Sequence, residues 1–182
     1  MNIPEYFRKM RGTTRGSPPR VSNEEIVWSW IGAFLGIAGV AWVDRLFFSG
    51  TDLSLMIGSF GASAVLVYGA VRSPLAQPRN LVGGHVLSAI VGVICWKLFH
   101  PYPWLAEALA VASAIALMHA TRTLHPPGGA TALIAVIGST EIHNLGFMYV
   151  LIPATVGPLI LLTVGLLVNN IPQSRRYPEI WF

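Results

Sequence analysis

The sequence predicts an all-α, multi-pass transmembrane helical bundle of about six membrane segments, and three observations predict it. Only 11% of its 182 residues are charged while 53% are hydrophobic, against roughly 25% charged in a soluble domain. Mean hydropathy is +0.59. Apolar runs long enough to cross roughly 30 Å of hydrocarbon recur along the chain, separated by short polar turns. Trp28, Trp42, Trp96, Tyr102, Trp104, Tyr149 and Trp181 stand near the ends of those runs, where interfacial anchors belong.

Residues 1–24 form a basic tail interrupted by Pro and Gly, with a short amphipathic helix expected near residues 6–10. Arg8, Lys9, Arg11, Arg15 and Arg20 outnumber Glu5, Glu24 and Glu25. That balance suits a cytoplasmic membrane surface and gives little support to nucleic acid as a partner. No apolar stretch with a small-residue cleavage site opens the chain, so the first span is expected to direct insertion. The transmembrane domain is read as residues 25–170. Its first span is 27–48, where Gly32, Gly36 and Gly39 make a small-residue face suited to helix packing or a dimer contact. The second, 55–71, is short and rich in small residues. A polar loop, 72–80, leads to the third span, 81–99. A Pro-rich turn, 100–104, leads to the fourth, 105–120. The fifth, 130–138, covers about half a membrane thickness. The sixth, 146–168, is interrupted by Pro153 and Pro158, and a short tail, 171–182, carries Arg175 and Arg176. The single Cys95 lies in an apolar run, so no disulfide framework is expected.

Basic residues orient the chain. With the N-terminal tail cytoplasmic, two crossings return Arg72 and Arg79 to that side, and four return Arg122. Arg175 and Arg176 join them only if the fifth segment also crosses, which the positive-inside rule prefers.

The most informative stretch is Arg122-Thr-Leu-His-Pro-Pro-Gly-Gly-Ala-Thr-Ala132. Two prolines and two glycines break a helix, and a break at membrane depth is tolerated only inside protein or beside water. Gly61-Ala-Ser-Ala64 in the second segment echoes Gly129-Ala-Thr-Ala132 in the fifth. Three segments followed by three comparable ones make a 3+3 inverted repeat, the plan of many transporters; chance similarity among small-residue helices is the alternative. In the repeat, Pro127 suits a helix start. Gly128, Gly129 and Ala130 would then present backbone N–H groups, as would Gly61, Ala62 and Ser63. Helix N-termini attract anions, and Ser59, Ser63 and Thr131 would add hydroxyl donors. The chemistry favours a small anion over a cation.

The run from Arg122 to Ala132, together with Ser59-Phe-Gly-Ala-Ser-Ala64, Ser73-Pro-Leu-Ala-Gln-Pro-Arg-Asn80 and Gly83-Gly-His85, resembles the HPP family of integral membrane proteins. The likeness covers about residues 25–170, with separated motifs in the same order. It implies a membrane domain usually described with four helices. Chloroplast and cyanobacterial members are described as nitrite transporters, so the likeness implies transport of a small anion such as nitrite.

His125 is read as an anion ligand or proton-responsive gate, against a packing histidine bonded to a backbone carbonyl. His85, after Gly83-Gly84, is read as functional or as polar packing, and His119 as interfacial. Arg122 is an electrostatic candidate before the break. Arg79 and Asn80 either guide anions or anchor the loop. His119, His125 and Cys95 lack metal-ligand spacing, so neither metal nor cofactor is expected. No paired acids and no Ser/His/Asp set suggest an enzyme. The expected partners are the lipid bilayer and a small inorganic anion, with room for a homo-oligomer. The expected location is a bacterial inner membrane with the N-terminus cytoplasmic. A non-transporting structural or regulatory module is the alternative function.

Overall fold

The computed structural model describes residues 2–10, 16–17, 19–48 and 56–182, so Arg11, Arg15 and Leu55 lie outside the described residues. These residues are all-helical. Four stretches are long and apolar enough to cross a membrane: α2 (Asn23–Phe47), α4 (Pro78–Phe99), α5 (Pro103–Ala120) and Met148–Val168. The last is divided into α8 (Met148–Leu151) and α9 (Val156–Val168). Two short apolar elements complete the bundle. One is α3 (Ser59–Ala64), which runs into a π-helical turn, Val65–Gly69; the other is α6 (Pro126–Ile137). The N-terminal helix α1 spans Ile3–Met10, and α7 spans Thr140–Leu145.

Local chemistry explains the ends. Ser22 accepts the Glu25 backbone N–H, and two acids sit in the first turn of α2, satisfying an orphan donor and the helix dipole. Pro78, Pro103 and Pro126 each open a helix where no N–H is required. α4 therefore starts three residues before the expected third span, with Arg79 and Asn80 in its first turn. α5 ends in a Schellman arrangement: Thr123 N–H reaches Met118 O at 2.9 Å and Arg122 N–H reaches His119 O at 3.2 Å. Arg122 occupies the left-handed position of that cap, with φ 57°, where glycine is usual. In the sixth segment the break falls around Pro153 alone. Pro158 sits in the first turn of α9, where it removes no intrahelical bond.

The packing maps onto itself when the two halves are exchanged. α2 packs on α9 and on α3 with its π-turn; α5 packs on α4 and on α6. α3 also meets α9, as α6 meets α4, and across the centre α3 meets α6 and α4 meets α9. Paired glycines, eight apart, make both close approaches. Gly84 and Gly92 of α4 lie against His125 and Ala132, while Gly157 and Gly165 of α9 lie against Phe60 and Val67. Gly32 and Gly36 seat the Tyr68 ring, and Gly39 faces Ile160. That small-residue face packs within the chain. The Tyr68 hydroxyl donates to Leu161 O at 2.9 Å.

One face of the bundle collects Arg72, Arg79 and Arg175. Arg175 is buried and donates to both Glu25 carboxylate oxygens at 2.9 and 2.8 Å, and to Ser29 Oγ and Asn169 Oδ1. Arg72 donates to Ser174 O, and Arg79 donates to Thr121 O at 2.7 Å. The start of α2, the 72–80 turn, the α5–α6 junction and the tail thus share one side. The chain returns to it after each pair of segments, the short fifth included. Gln77 ties the tail down, accepting from Glu179 N, and Tyr177 donates to Ala76 O. Burial pushes the Tyr177 phenol above its ordinary range, keeping it a donor.

Two outcomes follow for stability. A Cβ at Gly92 would lie 2.5 Å from Ala132 O, whereas one at Gly129 would meet nothing nearer than Val111 at 3.9 Å. Gly92→Ala should lower stability by about 1–3 kcal/mol through overpacking, while Gly129→Ala leaves the thermal midpoint in detergent near wild type. Arg175→Gln should cost about 1–3 kcal/mol by removing the charged donor from Glu25 and Asn169, whereas the exposed Arg176→Gln should be silent in the same melt.

Candidate functional site

Helix α3, the first turn of α6 and the middle of α4 meet at a cluster of buried polar side chains. His85, His125, Ser63 and Thr131 have no exposed surface, and Ser59 has 1%. Each is placed by local sequence. Gly84 lets α4 approach His125 Cβ and the Thr123 carbonyl closely, which sets the two imidazoles side by side with ring centroids 5.1 Å apart. His125 has extended backbone before Pro126, as a residue preceding proline should. Ser63 and Thr131 occupy matching positions in the two short helices.

Those two hydroxyls grip His85 from opposite halves of the chain. Ser63 Oγ lies 2.7 Å from His85 Nε2, and Thr131 Oγ1 lies 2.6 Å from His85 Nδ1. Ser63 Oγ also lies 2.9 Å from His125 Nε2, and His125 Nδ1 lies 2.8 Å from Leu75 O. The Thr131 and Ser59 hydroxyl oxygens are 2.9 Å apart. Phe60 meets His85 edge-on at 5.4 Å, and the Tyr149 hydroxyl donates to Thr131 O at 2.9 Å.

A carbonyl can only accept, and this settles the protons when both histidines are neutral. His125 Nδ1–H donates to Leu75 O, so its Nε2 accepts from Ser63. Ser63 has then spent its proton, and His85 Nε2–H donates to Ser63. Thr131 Oγ1 directs its one proton to His85 Nδ1 or to Ser59 Oγ. From Thr131 the chain runs through His85, Ser63 and His125 to Leu75 O.

The structure sorts the expected site residues. Ser59, Ser63, His85, His125 and Thr131 come together. Pro127 and Gly128 are buried behind them, where a Cβ on Gly128 would meet Gly84 O and Ser88 Oγ at 2.8 Å. The Gly128 N–H is taken by His125 O at 2.8 Å, and Pro126 and Pro127 have none, so little of the α6 N-terminus is free. Gly61 and Ala62 are exposed on the outer side of α3. Gly129 is half-buried and borders an apolar groove of about 480 Å³ with Val111, Ile115 and Leu133. Asn80 donates to Leu124 O at 2.8 Å. Asn80, Arg79 and the exposed Arg122 line a separate cavity of about 280 Å³ with Gln77 and Trp181. Two members escaped the sequence reading. The Leu75 carbonyl carries no side-chain signal, and Tyr149, expected at an interface, is fully buried.

A family model described as HPP, transmembrane region, matches residues 18–178. This chain belongs to the HPP family. It is 45% identical over 181 residues to a transmembrane protein of Dictyostelium discoideum, covering 98% of this chain and 58% of that relative. A second transmembrane protein of the same organism is 45% identical over 186 residues, covering 100% of this chain and 65% of that relative. The chain thus spans about three fifths of the length of these curated relatives. No solved structure matches. Four long helices with two short embedded ones fit both the usual four-helix description of HPP proteins and the reading of six segments.

Ser63→Ala removes the bridge between the imidazoles and leaves Nε2 of both without its partner. It should cost about 1–3 kcal/mol. Ser88→Ala, which loses only a 3.6 Å contact to Met118 sulfur, should shift the melting point much less.

Proposed function

We propose that this HPP protein carries a small monovalent anion across a membrane, with nitrite the first candidate. The observation that supports it best is the polar cluster itself: two histidines and three hydroxyls buried between short helices of opposite halves. Polar groups at membrane depth are expensive and mark function. Inverted halves meeting at the midplane are the architecture of carriers that alternate their access. The cluster is closed in this conformation, both ring nitrogens of both histidines being engaged. Rocking one half against the other would part Ser63 from the histidines or Thr131 from His85. The freed hydroxyls and imidazole N–H groups would then face an anion.

Arg122 supplies a second support. A non-glycine residue in the left-handed region costs roughly 1–3 kcal/mol. An arginine held there, exposed beside Arg79 and Asn80, lines the separate cavity at the α5–α6 junction, where it would attract anions. The chain is read as non-enzymatic, with its N-terminus cytoplasmic. The bacterial inner membrane remains part of this proposal, since the relatives above come from Dictyostelium discoideum. A homo-oligomer would place its contact on the apolar groove beside Gly129. The closed packing around His85 and His125 favours one other reading, a non-transporting structural or regulatory module.

Uptake of nitrite into proteoliposomes separates the two. Wild type should accumulate nitrite above protein-free vesicles, and Thr131→Val should reduce the rate at least tenfold while remaining monodisperse. Absence of nitrite flux through a folded wild-type protein would leave the module reading. Arg122→Gly relieves the backbone, so it should melt at or above the wild-type temperature yet transport more slowly. A variant that melts lower, or transports normally, removes Arg122 from the mechanism.

A further inference from the structure

We infer that this protein holds an anionic phospholipid at the junction of α5 and α6, its phosphate between Arg79 and Arg122 and one acyl chain in the groove beside Gly129. The site is independent of what the protein carries, because neither cavity that forms it includes a residue of the His85–His125 cluster.

Two cavities of different character meet there. The polar one, about 280 Å³, is lined by Arg79, Arg122, Asn80 and Gln77, together with Trp181. The apolar one, about 480 Å³, runs between Val111, Ile115 and Met118 of α5 and Gly129 and Leu133 of α6. Leu124 joins them: it lines the groove, and its carbonyl accepts from Asn80 of the polar cavity at 2.8 Å. Val111 and Met118 are seven residues apart, as are Pro126 and Leu133, so the groove follows both helices for about 10 Å. Ile115 and Ala130 are exposed, which leaves it open on the side away from the bundle. Glycine at 129 keeps it clear. A Cβ there would meet nothing nearer than Val111 at 3.9 Å, whereas one at Gly84 or Gly92 would collide at 2.5 Å. Gly129 is therefore not small for the sake of close helix packing.

The charge at the polar end has no counterpart in the fold. The Arg122 guanidinium makes no hydrogen bond or ion pair among the described residues, and Arg79 uses one N–H on Thr121 O. No acid is among the described residues lining either cavity. Two guanidinium groups around one space repel each other, and each presents a planar fork that matches phosphate oxygens. The first turn of α4, which carries Arg79, adds the positive end of a helix dipole. The cavity also lies on the face that gathers Arg72, Arg79 and Arg175, where a basic pocket between spans takes an anionic headgroup. A phosphate without an ammonium group fits best, since choline or ethanolamine would bring a cation to the arginines. A second copy fits poorly. A two-fold dimer about the membrane normal, seated groove to groove, would bring both arginine pairs to the same depth.

The test measures lipid binding to the purified full chain in detergent by native mass spectrometry, with phosphatidylglycerol and phosphatidylcholine of identical acyl chains. Phosphatidylglycerol should bind about tenfold more tightly. Arg122→Gln removes a guanidinium that the fold does not use, and should abolish that preference while phosphatidylcholine binds as before. Gly129→Leu fills the groove and should weaken both lipids; if it fails to fold, Ile115→Trp at an exposed position blocks the same groove. Arg176→Gln, on the tail and outside both cavities, should bind as wild type. Millimolar inorganic phosphate or glycerol phosphate should leave the lipid in place; displacement by either marks a free-anion site and overturns the lipid. Equal binding of the two lipids, or an undiminished preference in Arg122→Gln, overturns the headgroup assignment. A wild-type dimer that Gly129→Leu converts to monomer without loss of bound lipid gives the groove to a second copy and overturns it as well.

Discussion

Polar side chains buried at the centre of an apolar bundle must satisfy one another, because lipid offers no hydrogen bond. In this chain that constraint converges on His85. Its two ring nitrogens are held by Ser63 from one half of the molecule and Thr131 from the other. Neither grip would form unless both short helices reached the same depth beside α4. The glycines that let α4 and α9 approach them, and the helix breaks that shorten them, all serve this junction.

The same arrangement explains why the His-Pro-Pro-Gly-Gly stretch has its composition. Extended backbone before Pro126 aims the His125 ring at Leu75, and the paired prolines start α6 without orphan donors. Gly128 then packs on Gly84 and Ser88. Gly129 belongs to a different face, toward an apolar groove. The motif is therefore two devices in series, one facing the cluster and one facing outward. Its backbone is a means of seating side chains more than a display of free N–H groups.

The outer face obeys a second, electrostatic logic. The buried Arg175 bonds the start of α2 and the end of α9, two elements far apart in sequence that the repeat makes neighbours. Gln77 and Tyr177 hold the tail across the 72–80 turn, whose Leu75 carbonyl anchors the histidine chain. Tail docking and the hydrogen bond of His125 thus meet in one short turn.

Much was legible from residues alone. The apolar runs, their interfacial aromatics and the prolines at helix starts determined an all-helical membrane bundle, because hydropathy and helix-breaking are local properties. The Gly-Ala-Ser-Ala and Gly-Ala-Thr-Ala echo placed Ser63 and Thr131 in matching positions, and the HPP likeness singled out His85 and His125. Tertiary structure alone decided what those positions do. It turned Gly61 and Ala62 outward, brought Leu75 O to His125, buried Tyr149 and gathered Arg72, Arg79 and Arg175 on one face. Such outcomes depend on which side of a helix meets which neighbour. In short helices made of small residues, with no polar stripe, the sequence does not mark that side.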